Sequence, residues 1–130
     1  MKDLINIIEK LKVNSQTKVH NKNPEDWTIE NAEDGDIIMS KYNQFIYKGL
    51  DENKKYCSEP TAIIYHACYN ISPNALNKLS IGPDVGVGSL KDSGYQNFKL
   101  SSKEECKELF NAIKKKGYEW DETKLELVKI

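Results

Sequence analysis

The hydrophobic residues near the start of the chain recur every three or four positions. They are Leu4, Ile7, Ile8 and Leu11. This spacing places them on one face of a helix, so the pattern predicts an amphipathic helix over residues 1–13. The polar stretch 14–24 shows no periodicity and is rich in Asn, Ser and Lys, which indicates a linker that ends at Pro24. Residues 25–130 are then expected to form a single domain.

Four stretches of alternating or continuous apolar residues predict strands in the middle of the chain. They are residues 37–39, 44–50, 61–69 and 97–100. The third is rich in β-branched and aromatic residues on both faces, so we expect it in the centre of a sheet. Ser72 and Pro73 are typical of a helix start and predict one or two helical turns through Leu79. The glycine-rich segment 81–94 is interpreted as a loop, or as a short strand over 85–90 between turns.

The clearest helix signal lies near the C-terminus. Its apolar stripe consists of Cys106, Leu109, Phe110 and Ile113. Ser102 and Glu105 precede the stripe with the spacing of a capping box, and Gly117 follows it where glycine ends many helices. Alternating segments on either side of residues 121–123 predict a closing hairpin. The expected fold class is therefore α+β: a small, mostly antiparallel sheet with an N-terminal helix, and a C-terminal helix followed by a β-hairpin.

The charge composition limits the partners that the chain is expected to bind. Its 19 basic residues nearly balance 20 acidic ones, for a formal net charge of −1, which does not favour a nucleic-acid binder held by bulk charge. Every basic residue is a lysine, so the chain cannot make bidentate guanidinium contacts with guanine or phosphate. No apolar run reaches the roughly 20 residues that span a bilayer, so no membrane contact is expected.

The three cysteines, Cys57, Cys68 and Cys106, have wide and irregular spacing. The start of the chain does not resemble a secretion signal, so we expect reduced thiols and a cytoplasmic location. Cys68 and Cys106 lie within apolar patterns and are expected in the core. Zinc favours paired ligands at short spacing, and only His66 and Cys68 approach such a pair. No metal site and no cofactor are therefore expected.

An acidic segment, residues 25–36, holds six carboxylates and no lysine. Acidic side chains of this kind can steer association or mimic nucleic-acid phosphates in a basic groove. A solvated acidic loop is the alternative interpretation. The candidate partner-binding residues are Glu30, Glu33, Asp34, Asp36 and the aromatic Tyr42.

The glycine-rich segment 81–94 is a second candidate. Gly86-Val87-Gly88 superficially suggests a phosphate cradle, but the full spacing of the nucleotide-binding motifs is missing. We expect turn structure here, with a small-ligand recognition loop as the alternative. The candidate recognition residues are Asp84, Gly86, Gly88 and Lys91. A platform for single-stranded nucleic acid, formed by the tyrosines and lysines of the predicted sheet, is a further alternative.

The C-terminal third, residues 97–130, resembles a module of small proteins from phages and mobile elements of anaerobic bacteria. In that module a strand leads into a Glu-Glu-Lys helix with a Leu-Phe-x-Ala core, and a Gly-Tyr-x-Trp segment and a charged hairpin follow. The matching residues are Phe98, Leu100, Ser101, Glu104, Glu105, Leu109, Phe110, Ala112, Gly117, Tyr118, Trp120 and Leu125. Residues 35–37 and 45–49 resemble the leading hairpin of that family, whereas Cys106 and the extension 1–24 depart from it.

The resemblance implies a viral or mobile-element accessory protein in the cytoplasm of a bacterial host, and it carries over no catalytic residues. Polar and sulfur-bearing side chains are scattered along the sequence, which favours a non-enzymatic protein. We therefore predict stoichiometric inhibition of a host defence complex, a host protein or ribonucleoprotein, in the manner of an anti-CRISPR. A monomer or weak homodimer is expected. The alternatives are a nucleic-acid-binding accessory domain and a module that sequesters a small nucleotide signal.

Overall fold

The computed structural model describes residues 26–74, 78–92 and 97–130. Its strands are β1 (Ile37–Met39), β2 (Asn43–Leu50), β3 (Ala62–Asn70), β4 (Leu79–Ser89), β5 (Lys99–Leu100), β6 (Tyr118–Asp121) and β7 (Glu126–Lys129). Within these ranges there is one α-helix, α1 (Cys106–Lys115). Short 3-10 turns lie at Ile29–Asn31 and Leu90–Asp92. The helix predicted over 1–13 and the linker predicted over 14–24 lie outside the described residues.

The fold class expected from the sequence is wrong. The described part of the chain is mostly sheet, with 42% strand and 15% helix. An antiparallel sheet of five strands in the order β4-β3-β2-β1-β5 dominates the described part of the chain, where a small sheet was expected. A separate pair, β6 and β7, follows α1. No helix in the described part has the length and hydrophobicity needed to cross a membrane.

The largest difference from the expected fold is β4, whose eleven residues from Leu79 to Ser89 extend well beyond the short strand over 85–90 that was one of the two interpretations of this segment. Residues 75–77 of the predicted helical turns lie outside the described residues. Residues 72–74 contain no helix, and the Ser72 N–H donates to Asn70 Oδ1 at 2.9 Å instead of starting one. Leu79 already pairs with Tyr69. Pairing with β3 supplies β4 with backbone partners, and this tertiary context outweighs the weak strand preference of glycine.

Both faces of the five-stranded sheet bury apolar side chains. Neighbouring residues of a strand point to opposite faces, so adjacent apolar residues such as Ile37 and Ile38 belong to different core clusters. One face carries a core cluster that includes Ile38, Phe45 and Tyr65. The other face packs against α1 and β6, and its cluster consists of Ile37, Ile46, Ala67, Cys106, Leu109, Ile113 and Trp120. Each fully buried aliphatic side chain of this kind contributes about 1.5–3 kcal/mol.

Polar contacts fix the start of α1 against the sheet. Ser102 N–H donates to Glu105 Oε1 at 2.8 Å, and Glu105 N–H donates to Ser102 Oγ at 3.2 Å, so the predicted capping box is confirmed. The buried Gln44 amide donates to Ser101 Oγ at 2.9 Å and to the Glu105 carbonyl at 2.8 Å. These bonds tie β2 to the first turn of the helix.

Asp51 organises the loop between β2 and β3. It is only 2% exposed, and its carboxylate accepts the N–H groups of Lys55, Tyr56 and Cys57 at 2.8, 3.0 and 2.9 Å. Burial acts to raise the pKa of this carboxyl, but the three backbone donors outweigh burial and hold the pKa below its usual range.

We expect Asp51→Asn to lower the free energy of unfolding at neutral pH, because a neutral amide offers one acceptor oxygen to three donors. The lowered native pKa means that the carboxylate stabilises the fold above the unfolded-state pKa, and that this stabilisation is lost as the pH falls through the native pKa. The difference in Tm between the wild type and Asp51→Asn should therefore shrink below about pH 4. Glu52→Gln, an exposed acid in the same loop, is the control. A Tm difference that does not change with pH contradicts this assignment.

Candidate functional site

Regular pairing between β2 and β3 breaks at His66. Ile46 pairs with Ala67 and the next residue, Tyr47, pairs with Tyr65, so His66 is an extra residue in β3. An extra residue of this kind bends its strand and redirects the side chain. His66 therefore does not follow the simple alternation of the strand.

The neighbouring strands are irregular at the same level of the sheet. Lys48 is the extra residue of β2, in the register shift that follows Tyr47. In β4 two residues, Gly82 and Pro83, which are joined by a cis peptide bond, lie opposite the single residue His66. A Cβ at Gly82 would overlap the carbonyl oxygen of Tyr65, so this close approach of β4 to β3 requires glycine. Three adjacent strands thus place their irregular residues side by side.

His66 forms a short hydrogen bond with Asp34, and Nε2 lies 2.7 Å from Oδ1. The His66 side chain is 7% exposed, whereas that of Asp34 is 40% exposed. Trp120 lies against the imidazole, with ring centroids 4.8 Å apart. A buried polar ring is costly unless it is hydrogen-bonded, so Asp34 both satisfies His66 and fixes its orientation.

The turn that carries Asp34 is itself fixed. Gly35 has a φ of +95°, and its N–H donates to the Tyr47 carbonyl at 2.8 Å. A Cβ at Gly35 would lie 2.6 Å from Leu125 Cδ2, so the β6–β7 loop packs directly on this turn. Asp36 is fully buried, and its carboxylate accepts a backbone N–H of the same turn at 2.9 Å.

An open cleft of about 480 Å³ lies at the Asp34–His66 pair and is named the His66 cleft. The turn before β1, strands β2 to β4 and the β6–β7 hairpin all contribute to its walls. Its charged and polar lining residues are Asp34, Lys48, His66, Lys124 and Glu126, and its apolar lining includes Pro83, Leu125 and Leu127. A lining that combines apolar side chains with polar groups of both charges fits a ligand, or a side chain of a partner, that has both characters.

The structure separates the residues predicted to bind a partner. Asp34 lies in the His66 cleft, and Glu30 and Glu33 are exposed. Asp36 is 0% exposed, so its assignment to a contact surface is wrong: its carboxylate is used inside the turn. Tyr42 is 54% exposed, but it follows β1 and lies at the opposite end of that strand from Asp34.

The glycine-rich segment, expected as a loop or as a short strand over 85–90, belongs to the longer strand β4, so the loop interpretation is wrong for the backbone. Asp84, Gly86 and Gly88 belong to β4, and Lys91 follows in a 3-10 turn with its Nζ 3.7 Å from Glu59 Oε2. Asp84, Gly86 and Gly88 follow one another along an edge strand, and Lys91 lies beyond its end. Ligand binding by them stays a prediction.

Sequence reasoning missed Lys48, His66 and Lys124 as site residues. The available signal was a histidine within an otherwise apolar strand. Asp34 and His66 are 32 positions apart, and only the register of β2 and β3 brings them together. The described residues contain no group of three or more His, Cys, Asp or Glu side chains arranged to hold a metal ion.

No family model, no curated protein and no solved structure matches this chain. The His66 cleft and its residues are therefore the basis for assigning a function.

The cysteines lie outside the His66 cleft. All three thiols are free; Cys68 and Cys106 are buried and Cys57 is half-buried. Burial raises the pKa of Cys68 to about 12. Burial, with the nearby Glu105 carboxylate adding to it, raises the pKa of Cys106 to about 11. Both buried thiols behave as core side chains.

We expect iodoacetamide to modify Cys57 in the native protein and to spare Cys68 and Cys106, because buried thiols with a raised pKa form little thiolate near neutral pH. Peptide mass spectrometry after a short reaction measures the modified sites. The same reaction in urea is the control and should modify all three cysteines. Rapid modification of Cys68 under native conditions is the outcome that contradicts this prediction.

Proposed function

We propose that the chain is a viral or mobile-element accessory protein that inhibits a host defence complex by stoichiometric binding, and that the His66 cleft is its contact site. The observation that carries the proposal is the fixed Asp34–His66 pair within an open cleft whose rim holds charges of both signs. The resemblance of residues 97–130 to a phage and mobile-element module supports the genetic context.

The His66 cleft is arranged before a partner arrives. Its histidine is held by Asp34 and Trp120, and its walls are backbone segments fixed by strand pairing and by the packing of Leu125 on Gly35. Preorganised sites lose little conformational entropy on binding, which favours affinity. A partner side chain that enters the cleft would be largely removed from water, and such anchors supply most of the energy of protein interfaces.

The charged rim gives the cleft a means of selecting its partner. Lys48 and Lys124 are exposed and can meet acidic groups, while Glu126 and the exposed edge of Asp34 can meet basic ones. Charges at the edge of an interface set specificity and the rate of association more than the affinity. The main contact proposed is the His66 cleft, which includes Asp34. Asp36 is buried, and contact through the exposed Glu30 and Glu33 stays a prediction.

Plating efficiency tests the proposal. The chain is expressed in a panel of bacterial hosts, each of which restricts a phage with one defence system, and plaques are counted. We expect the chain to protect the phage from restriction, so that more plaques form. The number of plaques should rise in proportion to the amount of the chain, as stoichiometric inhibition requires. With the double variant Lys48→Glu/Lys124→Glu, the gain in plaque number should be at least tenfold smaller than with the wild type, since its reversed charges repel the acidic groups of the partner.

The matched control is Lys41→Glu/Lys103→Glu, which changes the net charge equally but lies outside the cleft. It should protect like the wild type, and the Tm and cellular amount of both variants are measured to confirm that they fold. A cleft variant that protects as well as the wild type, or a wild type that protects in no host of the panel, refutes the proposal.

A further inference from the structure

A second polar groove, the lysine groove, lies between α1 and the β3–β4 side of the sheet and has a volume of about 630 Å³. Lys78, Lys115 and Lys116 line it, together with a single carboxylate, Glu108, and with Tyr69, a partly buried residue that also packs against the core cluster under α1. The charged side chains of this groove thus have a net charge of +2, from three lysines and one glutamate, although the whole chain has a formal net charge of −1.

The lysines of the groove come from two separate parts of the chain. Lys115 is the last residue of α1 and Lys116 follows it, and cations are favoured there by the helix dipole. Lys78 immediately precedes β4, and its carbonyl accepts the N–H of Asn70 at 2.6 Å, which holds this segment against β3. The helix dipole does not account for Lys78. Three ammonium groups around one groove repel one another, and a bound anion removes that repulsion.

The groove lysines are not used in ion pairs within the described part of the chain. Lys78, Lys115 and Lys116 are exposed and form no salt bridge among the described residues. The lysine side chains that do form salt bridges there lie elsewhere: Lys91 with Glu59, Lys99 with Glu105 and Lys107 with Glu104. The charge of the groove is therefore uncompensated by neighbouring carboxylates other than Glu108.

We propose that the lysine groove binds the phosphate backbone of a single-stranded nucleic acid while Tyr69 stacks on one base. Ammonium groups beside an aromatic surface are the combination that single-strand binders use. A duplex fits less well, because its bases are already stacked on one another. This inference goes beyond the proposed inhibition and uses none of the residues of the His66 cleft.

Fluorescence anisotropy with the full chain and a labelled 12-nucleotide single-stranded DNA tests the inference. The logarithm of the binding constant should fall with the logarithm of salt concentration with a slope of about −2, as expected for three neutralised phosphates on a single strand. Lys78→Glu and Lys115→Glu should each weaken binding at least fivefold. Tyr69→Leu should weaken it about tenfold with little change in slope, and Tyr69→Phe should retain binding, because stacking needs the ring and releases no counterions.

Lys103→Glu makes the same charge change just before α1, and it should leave the affinity unchanged. Lys48→Glu/Lys124→Glu should also bind the oligonucleotide like the wild type, so failure at the lysine groove is distinguishable from failure at the His66 cleft. The inference is overturned by an absence of binding at low salt, by equal weakening in Lys103→Glu, or by equal affinity for a glutamate-rich peptide of the same net charge.

Discussion

The hydrogen bond between Asp34 and His66 depends on a break in strand pairing that three adjacent strands share. Strict alternation along β3 would place Cys68 on the face opposite Tyr65, yet both lie in the same core cluster. The extra residue, His66, shifts the alternation by one position, and a shift of one residue exchanges the two faces of a strand. The same irregularity that reorders the core therefore turns a polar ring toward the cleft.

The buried imidazole links the packing of the fold to the chemistry of its surface. Its ring lies against Trp120, which belongs to the core cluster under α1, and its Nε2 bonds to a carboxylate that reaches solvent. Gly35 allows Leu125 to close on the turn beside this pair. Trp120 and Leu125 thus connect the core under α1 to the His66 cleft, while the lysine groove lies against the C-terminal end of α1.

Local sequence patterns predicted the helix and the strands that form because of their own residues. The stripe of α1 and its capping box at Ser102 follow from spacing alone, and so do the positions of the first three strands. The fold class was wrong because β4 is a strand through its pairing with β3, which no local pattern records. Among the site residues, Asp34 was recognised only as a surface acid, since its bond to His66 depends on a register that the sequence does not display.

The coupling energy between Asp34 and His66 tests this account most directly. Urea unfolding of the wild type, Asp34→Ala, His66→Ala and the double variant forms a double-mutant cycle, in which the loss of packing against Trp120 cancels. We expect the losses in unfolding free energy of the two single variants, added together, to exceed the loss in the double variant by about 1 kcal/mol or more, as expected for a hydrogen bond to a carboxylate. Losses that add, with no coupling, would show that the pair does not hold the cleft in place.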